Sequence, residues 1–208
     1  MVHDSKTARI AGSIGVLFLA AVAIGACGDD EPARSLIGYA PTGRQSVVEV
    51  AMPDASHPDD DFRFRAEPGE LLLVNFGYTS CPDVCPTTLS IVKSAKNQLG
   101  DDGDRVDLAM VSVDPARDTA EIMPKYVSSF VPGGHALRSD DPAQLAAAAS
   151  AFGVTYSVTT AADGTIEVTH TGAMFAVDDA GEVVLTWPFG VTTDDVLGDL
   201  RILLAARG

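Results

Sequence analysis

The sequence predicts an α/β fold in which a central, partly parallel sheet carries helices on its faces. Apolar segments of strand length alternate with segments of helical apolar spacing through residues 71–152. Strands separated by helices of about ten or more residues are typical of parallel sheets. The last third instead has turn signals between apolar runs, DG at 163–164 and DDAG at 178–181, which predict antiparallel hairpins. The chain's 208 residues, 46% of them hydrophobic, suffice for one domain with its own core.

The predicted elements follow in order along the chain. An N-terminal β-hairpin of residues 47–51 and 62–65 opens the folded part. The alternating region should run strand 71–76, helix 87–99, strand 106–113, helix 121–130, strand 136–138 and helix 142–152. One hairpin, 154–158 with 166–169, is an insertion before the late strands, which form a second hairpin, 173–177 with 182–187. A helix over 192–206 closes the domain, because its leucines and Val196 recur at helical spacing.

Residues 1–26 have the pattern of a signal peptide. Lys6 and Arg9 form a short positive region, and the apolar run 14–26 is shorter than the roughly 20 residues that a bilayer-spanning helix needs. The stretch IGAC at 24–27 resembles a bacterial lipobox, in which the cysteine becomes the lipidated N-terminus. An ordinary signal peptide followed by an unpaired cysteine is the alternative. We predict lipidation of Cys27 and a position on the extracytoplasmic face of the bacterial cell membrane, anchored by lipid.

The predicted mature chain has a tether and one domain. Residues 27–45 are rich in Gly, Pro, Asp and Glu without apolar periodicity, which predicts a flexible tether after the lipidated cysteine. Residues 46–208 then form the folded domain. The formal net charge of -15 argues against a nucleic-acid partner, since binding nucleic acid requires cations that neutralise phosphates.

Two thiols lie where the strand 71–76 gives way to the helix 87–99. Cys81 and Cys85 each precede a proline, so both are expected on a loop, with Cys85 as the N-cap and Pro86 at the first helical position. The positive end of the helix dipole should lower a nearby cysteine pKa from about 8.5 toward 7. A metal site and a loop-closing disulfide both remain open at this point. Soft thiolates favour Cu(I), while zinc fits if a fourth ligand is added.

The histidines differ in position. His3 falls in the signal peptide, and His57 and His135 are expected to be a solvated loop residue and a turn residue without a ligand role. His170 directly precedes a predicted core strand, so its ring can reach the sheet end that carries the loops. By position alone it remains an ordinary loop histidine.

Three motifs resemble successive signatures of the SCO/SenC family. They are YTSCPDVCP at 78–86, VSVDPARDT at 111–119 and THTG at 169–172, and the resemblance extends over about residues 46–205. Members of that family are thioredoxin-like, membrane-tethered proteins that bind copper and help assemble the copper centre of cytochrome c oxidase. The resemblance therefore implies a thioredoxin-like three-layer fold, with a central mixed sheet and flanking helices.

The same resemblance implies a site and partners. Cys81 and Cys85 match the two thiolate ligands and His170 matches the imidazole ligand of copper, as Cu(I), Cu(II) or both. Asp114 either caps the next element or orients the copper site. The expected partners are the copper-bearing subunit of cytochrome c oxidase, another copper chaperone as donor, and the membrane through the lipid anchor.

A thiol-disulfide oxidoreductase is the competing prediction. Cys81 and Cys85 would then cycle between dithiol and disulfide and reduce the cysteines of an acceptor site. Thioredoxin-like reductases usually have two residues between their cysteines and a proline facing them. Here three residues separate the thiols, and residues 143–187 contain no proline. Metal binding is therefore favoured, and enzymatic turnover is not required.

Overall fold

The structure is a computed structural model that describes residue 1 and residues 35–43, 45–59 and 61–207. The expected signal peptide, the expected lipidation site Cys27 and the first part of the expected tether lie outside the described residues. In the part of the chain that is described, no helix combines the length and the apolar character needed to cross a bilayer.

The described residues form nine strands and four α-helices. The strands are β1 (Ala51–Pro53), β2 (Asp61–Arg63), β3 (Leu71–Gly77), β4 (Val106–Ser112), β5 (His135–Leu137), β6 (Tyr156–Thr160), β7 (Ile166–His170), β8 (Met174–Val177) and β9 (Val183–Trp187). The helices are α1 (Val84–Leu99), α2 (Ile122–Phe130), α3 (Pro142–Phe152) and α4 (Thr193–Ala205). A 3₁₀ helix (Gly100–Arg105) joins α1 to β4.

Five strands form the central sheet in the order β5-β4-β3-β8-β9. Strands β3, β4 and β5 run parallel, whereas β8 is antiparallel to both β3 and β9. This confirms the predicted mixed sheet. The carboxyl ends of parallel neighbours meet at one edge, so the loop after β3, which carries Cys81, lies beside the loop after β4, which carries Asp114.

The sheet is the middle of three layers. All seven residues of β3 are buried, and they alternate between two apolar clusters. Leu71 and Leu73 pack with residues of α1, α2 and α4, while Leu72 and Val74 pack with residues of α3 and the N-terminal hairpin. Because strand side chains point to opposite faces in turn, this double burial explains the continuous apolar run in the sequence.

The predicted hairpins are present. Strands β1 and β2 pair antiparallel in a small sheet of their own, with bounds shifted by several residues from the expected ones. Strands β6 and β7 form a separate two-stranded ribbon, as expected for an insertion before the late strands. The ribbon is mostly exposed and shares no strand pairing with the central sheet, and its last residue is His170.

The expected start of helix α1, with Cys85 as the N-cap and Pro86 at the first helical position, is wrong. Helix α1 begins at Val84 with Asp83 as its N-cap, so Cys85 lies in the first turn of the helix and is not the cap. Pro86 is tolerated there because the first-turn N–H groups have no acceptor within the helix.

The domain's ordered contacts also begin before residue 46. The backbone N–H groups of Ile37 and Gly38 donate to the buried Asp199 carboxylate, and Tyr39 exchanges two backbone hydrogen bonds with Thr186. The segment 37–39, expected in the tether, is therefore docked on the domain.

Candidate metal centre

The two cysteines lie at the N-terminus of α1 as free thiols. Cys81 is 9% exposed and Cys85 is fully buried. The backbone N–H of Cys85 donates to Cys81 Sγ at 3.3 Å, which places that sulfur over the positive end of the helix. The loop thus presents one accessible sulfur and one sulfur in the core.

The two thiols differ in acidity. Burial raises the pKa of Cys81, but hydrogen bonds from the backbone and thiol of Cys85 and from the backbone N–H groups of Asp83 and Val84 outweigh it, so the pKa is lowered. Burial raises the pKa of Cys85 to about 12, in spite of a backbone hydrogen bond at Tyr78 that lowers it. The expected lowering of a cysteine pKa at the helix N-terminus is therefore found at Cys81, whereas burial decides the pKa of Cys85.

The Cys85 thiol fits against β3 because residue 77 has no side chain. A Cβ at Gly77 would lie 2.7 Å from Cys85 Sγ and 3.2 Å from Met110 Cε. Real Cβ atoms do not approach a heavy atom so closely, and Cys85 Sγ lies in the packed interior with little room to move. Gly77 is therefore part of the site, although nothing in its sequence position indicated that.

His170 brings an imidazole to the buried thiol. Its Nε2 lies 4.0 Å from Cys85 Sγ, and its Nδ1 lies 3.0 Å from the backbone carbonyl oxygen of Thr171. A carbonyl only accepts hydrogen bonds, so Nδ1 carries the proton in the neutral ring and Nε2 turns its lone pair toward the sulfur. This is the orientation a metal-binding imidazole needs.

The spacing of Cys85 Sγ and His170 Nε2 suits a shared ion. A sulfur about 2.3 Å and a nitrogen about 2.0 Å from one metal are at most about 4.3 Å apart, which accommodates Cys85 and His170. Cys81, Cys85 and His170 do not all have their ligand atoms within 4.8 Å of one another. In the described part of the chain, Asp54, His57 and His135 do. Cys81 Sγ therefore lies beyond 4.8 Å from at least one of the other two ligand atoms, and the loop that carries Cys81 or the β6–β7 ribbon must move for all three to share an ion.

A cleft of about 440 Å³ opens beside the accessible thiol. Cys81 and His170 line it, together with the apolar side chains of Val84, Val168 and Phe189. Since Cys85 is buried, an ion or an acceptor protein reaches the site from the Cys81 side.

A buried carboxylate fixes the loop that leads to Cys81. Asp118 accepts hydrogen bonds from the backbone N–H and the hydroxyl of Thr79, at 3.0 and 2.6 Å, and from the hydroxyl of Ser112 at 2.6 Å. The first two bonds tie the loop after β3 to the loop after β4.

Asp114 reaches the ligands only through other residues. Its carboxylate pairs with Arg117, whose guanidinium lies 5.6 Å from the centre of the Tyr78 ring. That ring in turn meets the His170 ring edge-on, with centroids 6.1 Å apart. The structure therefore places Asp114 behind Arg117 and Tyr78, and its expected role in orienting the copper ligands stays a prediction.

Comparisons with known proteins place this site in a family context. A model of the SCO1/SenC family matches residues 56–205. A protein from Stutzerimonas stutzeri, provisionally named a copper-binding protein, is 31% identical over 140 residues, which is 67% of each chain. The alignments cover 66% and 31% of the length of the SCO2-like proteins from Rickettsia typhi and Rickettsia prowazekii.

Solved structures share the fold. The solution structure of apo Sco1 from Thermus thermophilus is 33% identical, with a TM-score of 0.71, over 83% of this chain and 99% of that one. The structure of ScoI from Bradyrhizobium japonicum with copper bound is 30% identical, with a TM-score of 0.62, over 77% of this chain and 97% of that one. The predicted thioredoxin-like three-layer fold is confirmed.

Proposed function

The chain belongs to the SCO1/SenC family, and we propose that it is a copper chaperone that binds its cargo through Cys81, Cys85 and His170. The observation that carries the proposal is the 4.0 Å approach of His170 Nε2 to Cys85 Sγ, between residues 85 positions apart. Thiolate and imidazole together suit Cu(I) and Cu(II). The copper-bound structure of the Bradyrhizobium japonicum relative supports copper as the metal.

The unequal thiols suggest an order of capture. Cys81, with its lowered pKa and its partial exposure, is the first sulfur available to an arriving ion. Cys85 binds second and gives up its proton to the solvent, because a metal ion deprotonates the thiol it coordinates. His170 offers the lone pair of Nε2 when its Nδ1 donates to the carbonyl oxygen of Thr171. Copper affinity should therefore fall as pH falls.

Delivery follows from the same asymmetry. Cys81 lines the cleft. A cysteine of a docked acceptor can therefore replace Cys81 as a copper ligand while Cys85 and His170 remain bound to the copper. We infer that the acceptor is the copper-bearing subunit of cytochrome c oxidase and that another copper chaperone is the donor. The apolar side chains around the cleft offer the contact surface for both.

Membrane attachment is a separate part of the proposal. We infer that residues 1–26 are removed, that Cys27 is lipidated, and that residues from 27 onward hold the domain at the outer face of the bacterial cell membrane. The support is the lipobox-like stretch IGAC at 24–27. In cells, Cys27→Ser should move the protein from the membrane fraction to the soluble fraction, and an unchanged membrane fraction would overturn the anchor.

A thiol-disulfide oxidoreductase is the second candidate, favoured by the pKa difference between the thiols. The Cys81 thiolate would attack an acceptor disulfide and form a mixed disulfide, releasing one acceptor thiolate. Cys85 would lose its proton and attack Cys81, which frees the second acceptor thiolate. The acceptor gains two electrons and ends as a dithiol, and the chain ends as the Cys81–Cys85 disulfide.

A copper titration tests the site. The reduced full chain, in detergent and without oxygen, competes for Cu(I) with a chromophoric chelator. One copper per chain is expected, with weaker binding in Cys81→Ser, Cys85→Ser and His170→Ala. Glu167→Ala, an exposed change on the same ribbon, is the control and should bind like the wild type. Unchanged binding in all three ligand variants would overturn the assignment.

A cellular assay separates the two candidates. His170→Ala removes a copper ligand and leaves both thiols in place. If the protein is a chaperone, cells with this variant should assemble oxidase with less copper. Full copper loading in those cells would favour the oxidoreductase.

A further inference from the structure

A second group of metal-ligating side chains lies away from the cysteines. Asp54 directly follows β1, His57 is three residues further, and His135 begins β5. Their ligand atoms all lie within 4.8 Å of one another. They line an open cavity of about 520 Å³ with Leu72 and Asp107, near the amino ends of β3 and β4. Cys81 follows the carboxyl end of β3, and none of the residues around this cavity lines the cleft beside it.

Two imidazole nitrogens face one carboxylate oxygen in this group. Asp54 Oδ2 lies 2.6 Å from His135 Nδ1 and 3.0 Å from His57 Nδ1. In a tetrahedral set with metal–ligand distances of about 2 Å, ligand atoms are about 3.3 Å apart. Each of these nitrogen–oxygen distances would have to lengthen by less than about 1 Å, and each Nδ1 would have to give up its proton to the solvent, for the group to hold an ion.

Other contacts occupy the second polar atom of Asp54 and of His135, so Asp54 Oδ2 and His135 Nδ1 are the atoms that face each other in the group. Asp54 Oδ1 accepts hydrogen bonds from the backbone N–H groups of Ser56 and Ala136, at 2.8 and 3.1 Å, so Oδ2 is the oxygen left for an ion. His135 Nε2 lies 2.9 Å from Asp107 Oδ2. A carboxylate on the far nitrogen of a ligating histidine is a common feature of metal sites, because it fixes the ring and raises its basicity.

A metal-free ion-pair network is the alternative. Asp54 and Asp107 already provide one carboxylate for each nitrogen of His135, which is enough to fix that ring against the sheet. Such a network does not require His57. The His57 side chain is 61% exposed, yet its Nδ1 faces Asp54, whose side chain is only 2% exposed. His57 Nδ1 thus faces Asp54 Oδ2, although that oxygen already pairs with His135, and this convergence of three ligand atoms favours a metal site.

We propose that Asp54, His57 and His135 bind a divalent transition-metal cation of the Zn²⁺ class, with water completing a tetrahedral set. Two imidazoles and one carboxylate with an open fourth position are a recurrent zinc donor set. The site is independent of copper, because Cu(I) prefers the soft sulfurs at the other site. Its metal would join the loop after β1 to the edge strand β5 and so stabilise the folded domain.

Zinc binding to the full chain with Cys81→Ser and Cys85→Ser tests the proposal. This background removes both thiols from the competition. Titration against a chromophoric zinc chelator should give one zinc per chain. His57→Gln is the key variant, since an exposed side chain can be replaced without disturbing the fold. Asp107→Asn should weaken binding about 10–100-fold, as is typical for residues that support a ligating histidine, and His57→Gln at least as much.

Glu70→Gln is the matched control. Glu70 lines the same cavity and carries the same charge as Asp107, yet belongs to neither the ligand set nor its hydrogen bonds. Nuclear magnetic resonance of the imidazole rings supplies a readout that a structural network would not move: zinc should shift the Nδ1 signals of His57 and His135. No zinc bound, or equal affinities in His57→Gln and Glu70→Gln, would overturn the proposal, whatever the outcome at the copper site.

Discussion

The buried carboxylate of Asp118 holds Thr79 by its backbone N–H and its hydroxyl, two residues before Cys81. This contact joins the loop after β3 to the loop after β4, and so fixes the position of the loop that carries the Cys81 thiol. Asp118 also accepts from Ser112, so three donors converge on one side chain.

Replacing this carboxylate should loosen the loop. In Asp118→Asn the amide nitrogen cannot accept, so at least one buried donor loses its partner, at a cost of about 1–3 kcal/mol in the free energy of unfolding. Copper affinity should fall as well, because Cys81 is less well placed. Chemical denaturation and the chelator competition measure the two effects. Thr79→Ser keeps both donors and serves as the control; equal stability of Asp118→Asn and wild type would refute the role.

Gly77→Ala should displace the Cys85 thiol. The added methyl would meet Cys85 Sγ at 2.7 Å, and overpacking of a filled core costs about 1–3 kcal/mol. We expect a lower free energy of unfolding and weaker copper binding. Gly43→Ala is the matched control, since a Cβ there meets nothing within 4 Å. Copper binding as strong as in the control would show that the sulfur has room to move.

The two thiols should react at different rates. Near pH 7 Cys81 has the larger thiolate fraction, because its pKa is lowered, while Cys85 stays protonated up to a pKa of about 12. Iodoacetamide should therefore modify Cys81 first in the reduced, metal-free chain. Mass spectrometry of digested samples over time measures the order. Equal rates at the two cysteines would contradict the structure.

The domain's stability should depend on pH through His135. Burial lowers the pKa of this imidazole, but the carboxylates of Asp107 and Asp54 outweigh burial and raise it from 6.5 to about 9. A raised histidine pKa contributes stability that is complete below pH 6.5 and is lost as pH rises through about 9.

Thermal melts in the presence of a chelator measure this effect. The melting temperature of the metal-free wild type should fall between pH 6.5 and 9, and Asp107→Asn should show a smaller fall over the same range. Identical pH profiles of the wild type and Asp107→Asn would contradict the assignment.

Sequence patterns located those elements whose ends are determined by neighbouring residues. Helix α3 has the expected bounds because Asp141 caps it, Pro142 begins it and Gly153 ends it in a left-handed conformation. Helix α4 is similarly placed by the reciprocal hydrogen bonds of Thr192 and Asp195. Capping of this kind is local, and so can be predicted from a few adjacent residues.

The remaining features depend on contacts between distant residues. Residues 37–39 look like a tether in sequence because Asp199, which accepts from Ile37 and Gly38, lies more than 160 positions away. The cysteine motif identified the thiols, but the unequal pKa values arise from the burial of Cys85. Likewise, the contact between Asp54 and His135 spans 81 positions, and no local pattern indicates it.

X-ray absorption at the copper edge of the Cu(I)-loaded chain tests the central claim most directly. The proposed site predicts two sulfur atoms and one nitrogen atom around the ion, with the nitrogen lost in His170→Ala and one sulfur lost in Cys85→Ser. A nitrogen contribution that persists unchanged in His170→Ala would show that this imidazole does not hold the copper.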